Sequence, residues 1–245
     1  MADMERVKTG IPGFDGLIEG GIPRGSFVVL TGGPGTGKTI FASQFLAGGV
    51  ALGENGIFVS VEQPRDEIIA QAAQFGWDFA KMEKEGKLKI MCLGLSDLFA
   101  SATLEIVENA IRDNHYSRIV IDSITSLILT PTSPQVILNL MGQKISAGSV
   151  MELRRASASV FIDRIKKLGV TTLGIAQKIE GMPGETEDTI SEFKGDGLIL
   201  TRLSEMGTEA PRVLKIMKMR KTGHTFEEIP FKISANKGIE LLPMK

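Results

Sequence analysis

Cysteine is nearly missing: Cys92 is the only one in 245 residues. It lies in the apolar run KIMCLGL with no partner for an internal disulfide, which excludes a cross-linked secreted scaffold and fits a reducing cytoplasm. Histidine is almost as scarce, with two in the chain. His115 has no ligand-type neighbours in sequence, and one cysteine cannot build a zinc pattern. No positively charged start followed by an apolar core opens the chain, so a cytoplasmic location is expected. The longest uncharged stretch, 123–143, contains Pro131, Pro134 and scattered Ser, Thr, Asn and Gln, and would make a poor membrane span. An excess of one charge is absent too. With 28 Lys and Arg against 29 Asp and Glu, the formal net charge is −1. That balance provides no global pull toward nucleic acid or anionic lipid. No linker, low-complexity tract or internal repeat divides the sequence. One domain over 1–245 is expected, with a lead-in at 1–25 and a core with C-terminal hairpins at 26–245.

What is present is an ordinary globular composition, 42% hydrophobic and 23% charged, in a chain long enough to bury a core without staples. After a Gly- and Pro-punctuated opening with a short helix at 14–18, SFVVLTGG reads as a buried strand. A helix at 38–52 follows, with Phe41, Phe45 and Leu46 on one face. GIFVSVE is a second strand, and 66–76 a helix capped by Asp66. KLKIMCL is a third strand, 101–114 a helix and SRIVIDS a fourth strand. After Pro134 come one or two helices interrupted near Ser146–Ser149, then the strand GVTTLGIAQ. GDGLILTRL, PRVLKIMKM, TFEEIPFKIS and KGIELLP read as strands of antiparallel hairpins. The fold class is therefore α/β: a mostly parallel central sheet with helices on both faces and a C-terminal antiparallel β extension.

GGPGTGKT at 32–39 satisfies G-x-x-x-x-G-K-[ST] between a strand and a helix, the context a phosphate-binding loop needs. Its glycines let backbone N–H groups turn inward around a phosphate where a Cβ would obstruct them, and the helix adds its positive dipole end. The nucleotide-binding set is Gly33, Gly35, Thr36, Gly37, Lys38, Thr39 and Ile40. Lys38 brings a point charge to the β- and γ-oxygens, and the Thr39 hydroxyl can hold Mg²⁺. ATP and Mg²⁺ are the expected cofactors.

Such a loop needs a carboxylate opposite it. RIVIDS puts Asp122 at the carboxyl end of an apolar strand, where open α/β sheets bind ligands, so Asp122 joins Thr39 as a metal residue. Glu62 ends the FVSVE strand and could polarise the attacking water as a general base. By position alone a surface or helix-leading glutamate fits Glu62 as well. Gln177 ends GVTTLGIAQ and could sense a γ-phosphate through its amide, or simply be a polar residue leaving the sheet.

TGIPGFDGLIEGGIPRGSFVVLTGGPGTGKT, FVSVEQP, VIDSITSL, GDGLIL and KMRKTGH together resemble the KaiC-like branch of the RecA superfamily of ATPases, over essentially the whole chain. The resemblance implies a RecA-like core that assembles as a homo-oligomer, often a hexameric ring, with ATP between adjacent subunits. It strengthens Glu62 as catalytic. Family members commonly carry two consecutive glutamates where this chain has Glu62 and Gln63, a departure that bears on turnover rate. In KMRKTGH, Lys218, Arg220 and His224 match a family strand that reaches the neighbouring subunit's nucleotide. A cation supplied in trans neutralises charge on the γ-phosphoryl group. Lys218 and Arg220, at i and i+2, share one strand face; without the resemblance, a solvated face would explain them.

The expectation is an ATPase whose nucleotide state controls assembly or an unidentified protein partner. Three alternatives use the same residues. A DNA recombinase shares the fold, but the segment after Gln177, KIEGMPGETEDTISEFKGD, is rich in Asp and Glu and would repel phosphates. An autokinase could use Thr186, Thr189 or Ser191 in that segment as acceptors. Gln63 leaves open a nucleotide-dependent scaffold that does not hydrolyse.

Overall fold

The computed structural model describes residues 4–94, 103–129, 147–179, 181, 184–204 and 212–243. A two-stranded ribbon, β1 (Arg6–Val7) and β2 (Ile22–Pro23), brackets a 3₁₀ turn at Asp15–Ile18. The main strands are β3 (Phe27–Gly32), β4 (Gly56–Ser60), β5 (Leu88–Cys92), β6 (Arg118–Asp122), β7 (Thr171–Gln177), β8 (Gly197–Leu203), β9 (Arg212–Met219), β10 (Glu228–Ser234) and β11 (Gly238–Leu241). The helices are α1 (Lys38–Ala51), α2 (Arg65–Ala73), α3 (Phe79–Lys84), α4 (Thr103–Asn114), α5 (Ile124–Leu129), α6 (Ala147–Lys167) and α7 (Ser191–Lys194).

The nine strands form one sheet in the order β11-β10-β9-β8-β3-β7-β6-β4-β5. From β8 to β5 all pairs are parallel; β9, β10 and β11 continue antiparallel. Every residue of β3, β4 and β6 is buried, as strands covered on both faces must be. Alternation sorts their side chains. Val28, Leu30, Phe58 and Val120 join one core with Phe41, Phe45 and Leu46 of α1. Phe27, Val29, Ile57, Val59, Ile119 and Ile121 join the other with α4 and α6.

The lead-in is stitched to α1. A Cβ on Gly48 would stand 2.7 Å from the Gly10 Cα, so these two backbones touch because neither residue has a side chain. Gln44 extends the stitch, donating to Gly10 O at 3.2 Å and Ile239 O at 3.1 Å and accepting the Ile239 N–H at 2.7 Å. Phe14 meets Phe41 edge to face, with ring centroids 5.4 Å apart.

Two expectations change, the Asp66 cap and the interruption near Ser146–Ser149, and two details are added. GDGLILTRL opens the antiparallel series as expected by pairing with β9, but β8 also pairs parallel with β3, so it is the strand at which direction reverses. Asp66 does not cap α2. Pro64 holds the N-cap position, and Asp66 lies in the first turn paired with Arg65. Asp78 does cap a helix, α3, accepting the Lys81 N–H at 2.9 Å. The expected interruption near Ser146–Ser149 falls partly on 130–146, outside the described residues; from Ala147 onward α6 runs unbroken to Lys167.

Candidate nucleotide site

β3, β4, β6 and β7 end at one edge of the sheet, and register makes the ends adjacent: Gly32 lies across from Gln177 and Ser60 across from Asp122. Glu62 follows Ser60. Four segments distant in sequence thus deliver the phosphate loop, Glu62, Asp122 and Gln177 to the carboxyl ends of parallel strands, the ligand-binding edge of such sheets.

Gly32 has φ +154°, and a Cβ there would fall 2.1 Å from Thr201 O, so only glycine lets the loop leave β3 against β8. The Thr36 hydroxyl donates to Gly33 O at 2.9 Å and lies 2.9 Å from the Thr201 hydroxyl, tying the loop to the sheet. Gly35 and Gly37 both have positive φ, and Gly37 is the N-cap of α1. Lys38 Nζ folds back over the loop to Gly32 O at 2.9 Å and Gly33 O at 2.7 Å. Burial lowers its pKa, opposed by the charges of Asp122 and Glu62. The Ile40 side chain packs against the core, and its place in the first turn of α1 puts its N–H among those with no i−4 partner within the helix.

Thr39 Oγ1 donates to Asp122 Oδ2 at 2.8 Å. Burial raises the Asp122 pKa to about 6; the Thr39 bond and Lys38 oppose that shift, while Glu62 adds to it. A buried carboxylate beside a hydroxyl, pushed toward its neutral form, is a group that a divalent cation would restore to charge. One carboxylate and one hydroxyl suit Mg²⁺, which keeps waters and phosphate oxygens in the rest of its shell. Among the described residues no three His, Cys, Asp or Glu cluster as an all-protein metal cage.

Glu62 Oε1 accepts from Ser123 Oγ at 2.6 Å, Ser126 Oγ at 2.6 Å and Gln177 Nε2 at 3.1 Å. Ser123 Oγ also accepts the Ser126 N–H at 3.1 Å, the bond of a helix N-cap, so the start of α5 sets the hydroxyl pair. The Gln177 N–H is held by Thr125 Oγ1 at 2.9 Å. The sequence reading missed Ser123 and Ser126 although VIDSITSL contains both. A serine directly after the strand aspartate, with another three residues on, was the available signal. It missed Arg212 as well, whose Nε donates to Gly35 O at 3.2 Å.

Lys218, Arg220 and His224 are not brought to this edge. Lys218 pairs with Leu198, and the Arg220 N–H donates to Asp196 O, level with Phe27 at the opposite end of β3. Five residue steps along β3 separate Phe27 from Gly32, on the order of 16 Å. Lys218 Nζ donates to Gly195 O at 2.7 Å, Phe193 O at 3.0 Å and Glu192 O at 3.4 Å. Burial lowers its pKa, with the Arg220 charge in the same direction. His224 Nδ1 lies 3.0 Å from Thr225 O, and its ring packs on Phe226.

The acidic segment after Gln177 is not the solvated loop its composition suggested. Asp188 is buried and receives the Ile190 and Ser191 N–H groups at 2.7 and 2.6 Å. Glu192 is buried and takes the Glu185 N–H; Glu185 pairs with Lys178, and Asp196 with Lys166 and Arg220. As for the candidate acceptors, Thr186 and Ser191 are buried, and Thr189 Oγ1 accepts from Arg155. Residues 180, 182 and 183 lie outside the described set.

A strand–GGPGTGKT–helix unit, an aspartate bonded to its threonine and a nine-stranded sheet of this order define a P-loop nucleotide-binding ATPase of the RecA superfamily. The family model for the KaiC ATPases matches residues 7–245, and the chain belongs to that family. A UPF0273 protein of Pyrococcus furiosus is 34% identical over 99% of this chain and 96% of its own length. The circadian clock protein KaiC3 of Synechocystis is 34% identical over 98% of this chain, which spans 46% of that protein. The crystal structure of a KaiC-like protein from Pyrococcus horikoshii superposes with a TM-score of 0.79 at 36% identity, covering 98% of this chain and 100% of the other. Membership of this family carries ATP binding and a general ATPase character.

Proposed function

We propose that this chain hydrolyses MgATP at the interfaces of a homo-oligomeric ring, hexameric in the leading reading, and that nucleotide state governs assembly or a protein partner. The observation that carries the proposal is the division of the candidate machinery between two edges of one sheet. Glu62, Lys38, Thr39, Asp122 and Gln177 gather at one edge, and Lys218 and Arg220 at the other. A subunit cannot bring its own Arg220 to its own phosphate loop over that span, whereas a head-to-tail neighbour can.

In this reading the loop N–H groups and Lys38 bind and orient the triphosphate, and Lys38 exchanges its carbonyl contacts for phosphate oxygens. Thr39 and Asp122 would hold Mg²⁺, which supplies charge neutralisation between the β- and γ-phosphates. Glu62, pinned through Oε1, accepts the proton of the attacking water, and Gln177 registers the γ-phosphate through its link to Glu62. The neighbour's Arg220 stabilises charge on the transferring group, with Lys218 and His224 beside it.

Turnover of Glu62→Gln and Arg220→Ala, measured on particles of matched mass, tests the assignment. We expect kcat to fall about a hundredfold for the first and about a thousandfold for the second. Unchanged turnover in either would remove that residue from the mechanism. Salt-dependent binding of single-stranded DNA would instead favour the recombinase, and phosphate retained on the purified chain after incubation with ATP would favour the autokinase.

A further inference from the structure

Asp196 is the residue through which β3, α6 and β9 meet. Its Oδ2 accepts the Phe27 N–H at 3.1 Å, and its Oδ1 accepts Lys166 Nζ at 2.7 Å and Arg220 Nη1 at 3.2 Å. The main chain repeats the connection: Asp196 N donates to Phe27 O at 2.7 Å, and Arg220 N to Asp196 O at 2.8 Å.

The two candidate trans cations are held differently. Lys218 spends its three N–H donors on carbonyls at the end of α7. Arg220 gives one donor to Asp196 and stays half exposed, with a side-chain accessibility of 52%. A long side chain that is free in solution loses rotamer freedom when it docks. One already tethered at the subunit edge loses less and presents its remaining donors in one direction. An exposed ion pair with no further task would contribute little to stability and nothing to turnover.

We infer that Asp196 is a positioning residue for Arg220, holding its guanidinium ready for the adjacent subunit's γ-phosphate, so that its loss lowers turnover in the neighbour's site and not in its own. The inference rests on the trans assignment of Arg220, and the test separates the two.

Asp196→Asn is measured alone, combined with Arg220→Ala, and mixed with excess Lys38→Ala subunits, which have no working phosphate loop but carry an intact Arg220. Asp196→Ser, whose hydroxyl can still accept the Phe27 N–H, serves as the second variant if the first does not fold. Alone, kcat is expected to fall about tenfold with ATP affinity within about twofold. In the Arg220→Ala background the substitution should cost nothing further. Mixing should restore turnover to the Asp196 variant's own intact loops, which a folding defect would not permit. The inference is overturned if Asp196→Asn turns over like wild type, if its loss multiplies with that of Arg220→Ala, or if mixing rescues Arg220→Ala but not Asp196→Asn. If Arg220→Ala is itself unimpaired, or impaired and not rescued by mixing, the trans assignment has failed instead.

Discussion

The Glu62 carboxylate gathers three donors onto Oε1, while Oε2 makes no bond among the described residues. One oxygen is thereby fixed, and in the proposed mechanism the other would meet the attacking water. Ser126→Ala removes one donor without touching the phosphate loop, and kcat should fall roughly tenfold with little change in ATP affinity. Steady-state kinetics beside equilibrium ATP binding would check this, and a rise in KM alone would contradict it. Asp122 gives a prediction in pH. Its folded pKa of about 6 lies above the ordinary 3.8, so the folded chain holds this proton more tightly than the unfolded one. The associated stability is full below the ordinary value and is lost as pH rises through about 6. In chelator without nucleotide, Asp122→Asn should therefore be more stable than wild type at pH 7 to 8, by up to about 3 kcal/mol. The difference should shrink toward pH 4 in denaturant titrations. Excess Mg²⁺ should narrow it at neutral pH, because the cation favours the carboxylate.

At the scale of elements, the join between the lead-in and α1 brings two backbones into direct contact behind the phosphate loop. Gly48→Ala improves helix propensity by about 1 kcal/mol, yet the new Cβ would meet the Gly10 backbone at 2.7 Å. Backbone on both sides cannot swing away, so a net loss of about 1–3 kcal/mol is expected, read as a lower Tm. Elements were legible in the sequence where local pattern decides them. FVVLTG, the glycine-rich turn and the following helix are set by residues next to one another, and Asp122 needed only an apolar strand before it. What was hidden depends on partners far along the chain. β8 is a parallel strand because β3 has a free edge beside it, which GDGLIL cannot announce. Asp188 and Glu192 carry the charges of a solvated loop but are turned inward by N–H groups they cap. Ser123, Ser126 and Asp196 acquire roles only when three or more segments converge.

For the whole molecule, each ATP site of the proposed ring is the joint property of two chains. Glu62 would come from one subunit and Arg220 from the next, at opposite edges of one sheet. The most direct measurement is therefore complementation: Glu62→Gln and Arg220→Ala, each nearly inactive alone, mixed in equal amounts and allowed to exchange subunits. Random assembly places an intact Glu62 opposite an intact Arg220 at about a quarter of the interfaces, so turnover should recover to about a quarter of the wild-type rate. Turnover that stays at the sum of the two separate variants, in rings shown by mass to be mixed, would contradict a site shared between subunits.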